Sequence, residues 1–381
     1  MRPQRAGVSI WFQPGRARIV KQPLGVVGVI APWNYPVLLA VAPLVSALAA
    51  GNRVMIKMSE LTPRTGELLA RLMRGAFSDD RVTVFNGGVD LARAFAALPF
   101  DHLLFTGSTA VGRQVMAAAA PNLTPVTLEL GGKSPALVAP GYPPDAAARR
   151  IMWGKCLNAG QTCIAPDYVL LPESAESAFV AAARDEVRRL YPSGAASADY
   201  SAIVSDAHYR RLTAWAEEAR QQGANLIPLG DGLSDVSRKM PPVILTHVED
   251  GMRVMQEEIF GPLLPVRTYA HFDEALAYIT ARPRPLAFYY FDEDRARTRR
   301  VLERTVAGGV TVNDTILHIG QVHLPFGGVG ASGMGVYHGE AGFTTFSKRT
   351  GVFVQSRWSV LGAAKPPYGR LAERLLRWMV R

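Results

Sequence analysis

Strand-like and helix-like stretches alternate along almost the whole chain, and this alternation constrains the fold more than any other feature. It predicts an α/β protein with a parallel sheet covered by helices. A β-branched run over 26–30 leads into a proline-bearing turn and an apolar helix that ends near Gly51. Residues 53–57 read as a strand, 66–77 as an amphipathic helix, and 82–85 and 103–106 as further strands. An alanine-rich helix over 109–120 stops at Pro121, and a strand over 126–130 runs into Gly131-Gly132. The pattern then restarts with strand 137–139, helix 145–157, strand 168–171 and helix 175–190. Later come strand 286–291, helix 294–303 and strand 309–312.

The 381 residues are enough for two such domains, with a border near Gly131. The expected units are 23–131 and 132–330. Stretches 9–22 and 343–354 are strand-like but have no evident partner in either domain. Segments 1–22 and 343–356 are therefore expected to form a separate β-structure that pairs across a subunit boundary in a homodimer or homotetramer. Residues 193–198 and 230–235 read as loops. The tail 357–381 sets leucines against arginines at helical spacing over 368–381. It is expected to pack on its own subunit or a neighbour rather than on a membrane surface.

The formal net charge is +10, but no run of like charge resembles a nucleic-acid arm and no aromatic–basic repeat suggests base stacking. Such a surface suits a pyrophosphate-bearing cofactor or an acidic product, and equally a surface that is simply rich in solvated arginine. The first thirteen residues contain no apolar segment of signal-peptide length. The longest apolar stretch, 35–50, is interrupted by Pro36 and Pro43 and falls short of the roughly 20 residues that span a bilayer. It reads as a buried helix. Two cysteines cannot build a disulfide framework, which points to a reducing, cytoplasmic compartment. No metal site is expected.

The most informative segment for chemistry is Asn158-Ala-Gly-Gln-Thr-Cys163. A thiolate in a polar, glycine-bearing turn can attack a carbonyl carbon, provided positive charge, dipoles or a base lower the thiol pKa. Cys156, inside an apolar stretch, reads instead as a small core residue. Glu129 stands at the end of a hydrophobic strand, where ligands collect in open α/β sheets. It is either a general base or a salt-bridged structural residue. Asn34, between Pro32 and Pro36, offers an amide for an oxyanion or simply fills a turn. The hydroxyls and small residues of Phe105-Thr-Gly-Ser-Thr109 join a strand to a helix, an arrangement that suits a phosphate.

Taken together, five strings resemble the aldehyde dehydrogenase superfamily in order and spacing across residues 11–354. They are Ala31-Pro-Trp-Asn-Tyr-Pro36, Phe105-Thr-Gly-Ser-Thr109, Leu128-Glu-Leu-Gly-Gly-Lys133, Gly160-Gln-Thr-Cys163 and Glu257-Glu-Ile-Phe-Gly-Pro262. The resemblance implies a Rossmann-type cofactor domain, an α/β catalytic domain and a small oligomerisation β-structure. It implies oxidation of an aldehyde to a carboxylic acid, with NAD as cofactor and NADP as the alternative. Cys163 would be the nucleophile, Glu129 the base for thiol or water, and Asn34 with the Cys163 N–H the oxyanion donors. Lys57 and Glu60 match the adenosine-ribose ligands, and Glu60 favours NAD by repelling a 2′-phosphate. Trp33, Gly107, Ser108 and Leu130 match cofactor contacts, and Glu258 and Phe260 match those at the nicotinamide end.

Within the superfamily the chain is most similar to coniferyl-aldehyde dehydrogenases, near the fatty and aromatic aldehyde group. This rests on Gly160-Gln-Thr-Cys-Ile-Ala-Pro-Asp-Tyr168 and Pro325-Phe-Gly-Gly-Val-Gly-Ala-Ser-Gly-Met-Gly335. Tyr35 and Trp153 are candidates for an apolar channel beside the thiol, or for packing. Met58 stands where the family usually has proline and is expected to loosen its loop. Family members usually carry a long segment before the one that begins here, so the cofactor domain is expected to be incomplete at its N-terminus. A cofactor-binding homologue with impaired turnover is one alternative function. An acylating enzyme that passes the thioester to coenzyme A is another, disfavoured by Glu129.

Overall fold

Two largely parallel sheets, each with a single antiparallel edge strand, form the body of the molecule. The computed structural model describes residues 2–230, 238–358 and 366–380. In the six-stranded sheet, Val126–Glu129, His102–Thr106, Val26–Ile30, Arg53–Lys57 and Val82–Phe85 lie side by side in that order, all parallel. Strand order therefore reverses between Val26–Ile30 and His102–Thr106. That reversal is the switch point where an open α/β sheet leaves a crevice at its carboxyl ends. The loops leaving these two strands carry Trp33 and Asn34 on one side, and Gly107 and Ser108 on the other.

The local sequence explains why the crevice has firm walls. Val27 and Val29 are fully buried, as expected of a strand covered on both faces. Pro36 starts the following helix, Pro36–Ala49, at a position where its missing N–H costs nothing. Leu39, Ala40, Leu44 and Ala47 bury one side of that helix. Ser108 caps helix Thr109–Ala119 by accepting the Val111 N–H.

The seven-stranded sheet has the order Asn225–Pro228, Val243–Thr246, Leu263–Tyr269, Tyr168–Pro172, Pro135–Val138, Ala287–Phe291 and Gly309–Val312. The chain crosses between the two sheets over 130–134, beside the glycine pair. Gly333–Met334 later returns to the first sheet and pairs antiparallel with Leu128 and Glu129. A separate antiparallel sheet joins Gln4–Ala6, Arg16–Pro23 and Ser347–Val354.

Several expectations need correction. The strand expected over 9–22 is broken, because Ile10–Phe12 forms a 3-10 turn and only Arg16–Pro23 is extended there. The segment 343–354 begins in a helix, Gly339–Thr345, and becomes a strand only at Ser347. The small sheet pairs within its own chain, Ser347–Val354 against Arg16–Pro23 over eight residue pairs. Loop 193–198 contains a 3-10 turn, Gly194–Ala196. Residues 231–235 of the second expected loop, and 359–365 and 381 of the tail, lie outside the described residues.

Met58 does not loosen its loop. It is fully buried, and its N–H donates to the Phe85 carbonyl at 2.9 Å, extending the sheet ladder in a way proline cannot. The tail forms helix Arg370–Met379, which meets its own chain where Trp378 sets its ring edge-on to Trp11 at 5.0 Å. Among the described residues no helix is long and apolar enough to cross a membrane.

Candidate active site

Cys163 reaches the crevice by way of a tight turn. Asn158 and Ala159 both adopt left-handed backbone (φ 52° each), and Gly160 follows at φ 74°. Consecutive non-glycine residues in this region store strain. At Gly160 a Cβ would lie 2.2 Å from the Gly261 carbonyl oxygen, so no other residue fits. Gln161 holds the turn in place. Its amide donates to Asn158 O at 3.1 Å and Ala202 O at 3.0 Å, and accepts the Val204 N–H at 2.9 Å. Tyr35 hydrogen-bonds the neighbouring Thr162 hydroxyl at 2.7 Å. The thiol itself is half-buried.

A cavity of about 230 Å³ at this point is lined by Cys163, Asn34, Glu129, Glu258 and Phe260, with Trp33 beside them. Gly107, Ser108 and Leu130 complete its wall. The side-chain amide of Asn34 donates to Gln161 O at 3.2 Å, which uses one of its two hydrogens. The other remains for an oxygen near the thiol.

Glu129 is 1% exposed, and neither of its carboxylate oxygens has a hydrogen-bond partner. Burial pushes its pKa well above the usual carboxylate range. Its oxygen lies against Gly327, where a Cβ would stand only 3.0 Å from Oε1. Glu258 rests on Gly131, where a Cβ would sit 2.1 Å from its oxygen, and accepts the Gly132 N–H. Burial, reinforced by the charge of Asp167, pushes Glu258 up to about 8.

The Cys163 thiol is pushed up to about 12, first by burial and then by Glu258 and Glu129; the N–H groups of Cys163 and Ile164 oppose this only in part. The sequence reading required positive charge, dipoles or a base to lower this thiol. In the structure burial above all holds it protonated at neutral pH, and the two nearby acids, Glu258 and Glu129, add to the effect.

A second cavity, of about 420 Å³, continues from the first past Trp33 and Ser108 to Lys57 and Glu60. Lys57 is buried and donates to the Met58 carbonyl at 2.7 Å; its amine lies 3.9 Å from the half-exposed Glu60 carboxylate. Burial lowers the Lys57 pKa, while Glu60 opposes the shift. Thr106 Oγ1, on the wall shared by the two cavities, is buried without a partner. The two cavities together make an elongated cradle with hydroxyls and a helix N-terminus midway, and a lysine–glutamate pair at the far end. That donor set fits a dinucleotide, with its pyrophosphate at the helix start.

Every catalytic and cofactor residue read from the sequence therefore borders one of these two linked spaces, whereas Tyr35, a candidate for the apolar channel, lines neither. The sequence reading missed His208 and Arg211. Helix Asp206–Gln221 carries both into the first cavity, where His208 packs against Trp33 and Arg211 donates to Ile259 O at 2.7 Å. The available signal was Ser205, which caps that helix, followed by Leu212, Trp215 and Ala219 on one buried face. Trp153 does not border the thiol's cavity. It stands 38% exposed on a different groove with Arg150 and Asp314.

Comparison with known proteins agrees with this geometry. The family model described as "Aldehyde dehydrogenase family" matches residues 4–352. The chain belongs to the aldehyde dehydrogenase family. It is 54% identical to a probable coniferyl aldehyde dehydrogenase of Pseudomonas aeruginosa, over 99% of this chain and 79% of that protein. The substrate-bound structure of Staphylococcus aureus AldH superposes with a TM-score of 0.93 at 40% identity, covering 100% of this chain and 82% of the other. A Mycobacterium tuberculosis aldehyde dehydrogenase complexed with NAD+ gives a TM-score of 0.85 at 29% identity, covering 94% and 74%. The fold of this family member is thus the aldehyde dehydrogenase fold, with α/β sheets flanked by helices.

Proposed function

We propose that this chain oxidises an aromatic aldehyde of the coniferyl type to its carboxylic acid, with NAD as cofactor and Cys163 as nucleophile. The observation that carries the proposal is the convergence of Cys163, Asn34 and an unpartnered, buried Glu129 on one cavity. Support for the substrate comes from the relative named as a probable coniferyl aldehyde dehydrogenase, and for the cofactor from the NAD+ complex of similar fold.

In this reading the Cys163 thiol gives up its proton to solvent as the sulfur adds to the aldehyde carbon, which gives a tetrahedral adduct. Its oxyanion is held by the free Asn34 amide hydrogen and the Cys163 backbone N–H. Lys57 and Glu60 hold the adenosine ribose, Ser108 and the start of its helix hold the pyrophosphate, and Glu258 and Phe260 meet the nicotinamide end. When bound, NAD supplies the two-electron acceptor that converts the adduct to a thioester. Glu129, with its proton affinity raised by burial, takes a proton from water, and the hydroxide released attacks the thioester carbon. The acid leaves, and the proton held by Glu129 passes to the sulfur and restores the thiol.

The test is direct: incubate the protein with NAD and coniferyl aldehyde and follow reduced cofactor. Steady reduction matched by equimolar acid is expected. Turnover that requires coenzyme A, or no turnover with any aromatic aldehyde, overturns the reading.

The far end of the cradle sets cofactor choice. Glu60 accepts a hydrogen bond from a free ribose hydroxyl and repels a 2′-phosphate. Glu60→Gln is expected to reduce the ratio of kcat/KM for NAD over NADP by about tenfold, the discrimination of roughly one charged contact. An unchanged ratio removes Glu60 from that role.

We also assign the exposed apolar surface of the small antiparallel sheet, whose strands pair within the chain, to contact with a second copy. Ile10, Phe353 and Val354 leave apolar surface exposed there. Analytical ultracentrifugation is expected to show a dimer or tetramer. A monomer refutes the assignment.

A further inference from the structure

Just beyond the nucleophile, on the same short loop, stands a buried charge with no role in the steps above. Asp167 follows Cys163 by one turn, Thr162 to Ala165, closed by the Ala165 N–H on the Thr162 carbonyl at 2.9 Å. Its side chain is 4% exposed. One oxygen takes the Lys133 ammonium at 2.5 Å and the other accepts the Ile259 N–H at 3.1 Å. Lys133 spends its two remaining donors on the carbonyls of Val254, at 2.8 Å, and Glu257, at 3.0 Å. The pair therefore grips the backbone on both sides of Glu258, at the carbonyl before it and the N–H after it. Arg211 fixes the next carbonyl, that of Ile259. Phe260 then turns into the cavity from a left-handed backbone (φ 49°), a conformation that a free segment would leave. Lys155, buried with no partner for its amine, lies in the field of the same aspartate.

We propose that Asp167 is a positioning residue that fixes the distance between the Cys163 sulfur and the Glu258 and Phe260 side chains. Thiol and aspartate ride on one loop, so any shift of that loop moves both together. The second segment, held through Lys133 and the Ile259 N–H, must follow. The proposal rests on the reading that Glu258 and Phe260 meet the nicotinamide end of NAD. It goes further by naming the group that sets their register with the nucleophile. The adenosine end, at Lys57 and Glu60, makes no contact with this brace.

Asp167→Asn separates these roles. Its amide can still accept the Ile259 N–H but turns a donor toward Lys133, so the grip on Glu257 is lost. The expected result is a fall in kcat of about a hundredfold, the scale of a misplacement near 1 Å. ADP, which carries only the adenosine end, is expected to bind as in the wild type by calorimetry, and iodoacetamide is expected to alkylate Cys163 at the wild-type rate. As a second pair, Lys133→Arg keeps a cation with several donors and is expected to retain more kcat than Lys133→Met.

Unchanged kcat in Asp167→Asn overturns the proposal, as does a parallel loss of ADP binding and alkylation, which marks a general collapse. If Asp167→Asn does not fold, the Lys133 pair decides, and equal rates in its two variants overturn the proposal. A wild type that neither binds ADP nor reduces NAD overturns both this inference and the function beneath it. An active wild type with indifferent variants overturns the brace alone.

Discussion

Cys163→Ala is expected to lower kcat with NAD and an aromatic aldehyde by on the order of 10⁴-fold or more, while leaving cofactor binding intact. The size follows from the chemistry, since without the sulfur no covalent adduct forms and the remaining groups only hold the reactants. Cys156→Ala is the control. Cys156 is 1% exposed in the core and burial pushes its thiol up to about 12, so its loss removes packing and no reacting group. It is expected to cost about 1 kcal/mol in stability with turnover retained. The structure adds a pH signature. With the Cys163 thiol pushed up to about 12, its ionised fraction at neutral pH is minute and grows tenfold per pH unit. Alkylation of the cofactor-free protein is therefore expected to rise steadily through pH 7–10 with no plateau. A cation brought beside the sulfur favours the thiolate, so addition of NAD is expected to speed alkylation at neutral pH. A plateau near neutral pH without cofactor, or full activity in Cys163→Ala, rules out this account of the nucleophile.

Much of this site was legible in the sequence because its parts sit at chain positions with strong local signals. Asn34 follows a β-branched strand and precedes Pro36, Ser108 caps a helix, and Glu129 ends a hydrophobic strand. Each stands at or just beyond the carboxyl end of a parallel strand, and their order along the chain matched a known family. What the sequence hid depends on three-dimensional packing. His208 and Arg211 project from a helix whose surface is mostly charged, so its apolar side is only Leu212, Trp215 and Ala219. The edge strand Gly333–Met334 is two residues of a glycine-rich run, and its pairing with Leu128 and Glu129 is a long-range contact without local pattern. The protonation of the thiol was hidden because it depends first on burial and then on which charges converge, and the convergent ones, Glu129 and Glu258, are separated widely in the chain. Strand 9–22 was misread because Pro14 and Gly15 break an otherwise extended pattern. The brace between Lys133 and Asp167 belongs to the same class, since both residues were visible in quoted motifs and neither motif reveals that they meet.

Glu129→Gln is expected to separate the two halves of the reaction. The substitution keeps shape and removes the base, so the first reduction of NAD, stoichiometric with enzyme, survives. Steady turnover falls by about 10²- to 10⁴-fold as the thioester accumulates. In the wild type, the acid limb of steady turnover is expected to lie well above the usual carboxylate range, because Glu129 must be ionised to act and burial holds its proton. The variant is expected to lose that limb. Stability should move the other way. The folded protein binds this proton more tightly than the unfolded chain, so the stability it brings is fully present below the unfolded carboxylate pKa. It is lost as pH rises toward the folded value. Above both values the wild type carries a buried charge with no hydrogen-bond partner on either oxygen, and a neutral amide loses less on burial. Glu129→Gln is therefore expected to melt at a higher temperature than the wild type at alkaline pH, with the gap closing near pH 4. Calorimetry across that range tests the sign. Equal loss of the burst and of steady turnover would instead make Glu129 the base for the thiol. A variant less stable at every pH would show that its carboxylate is not the unpaired charge that the cavity implies.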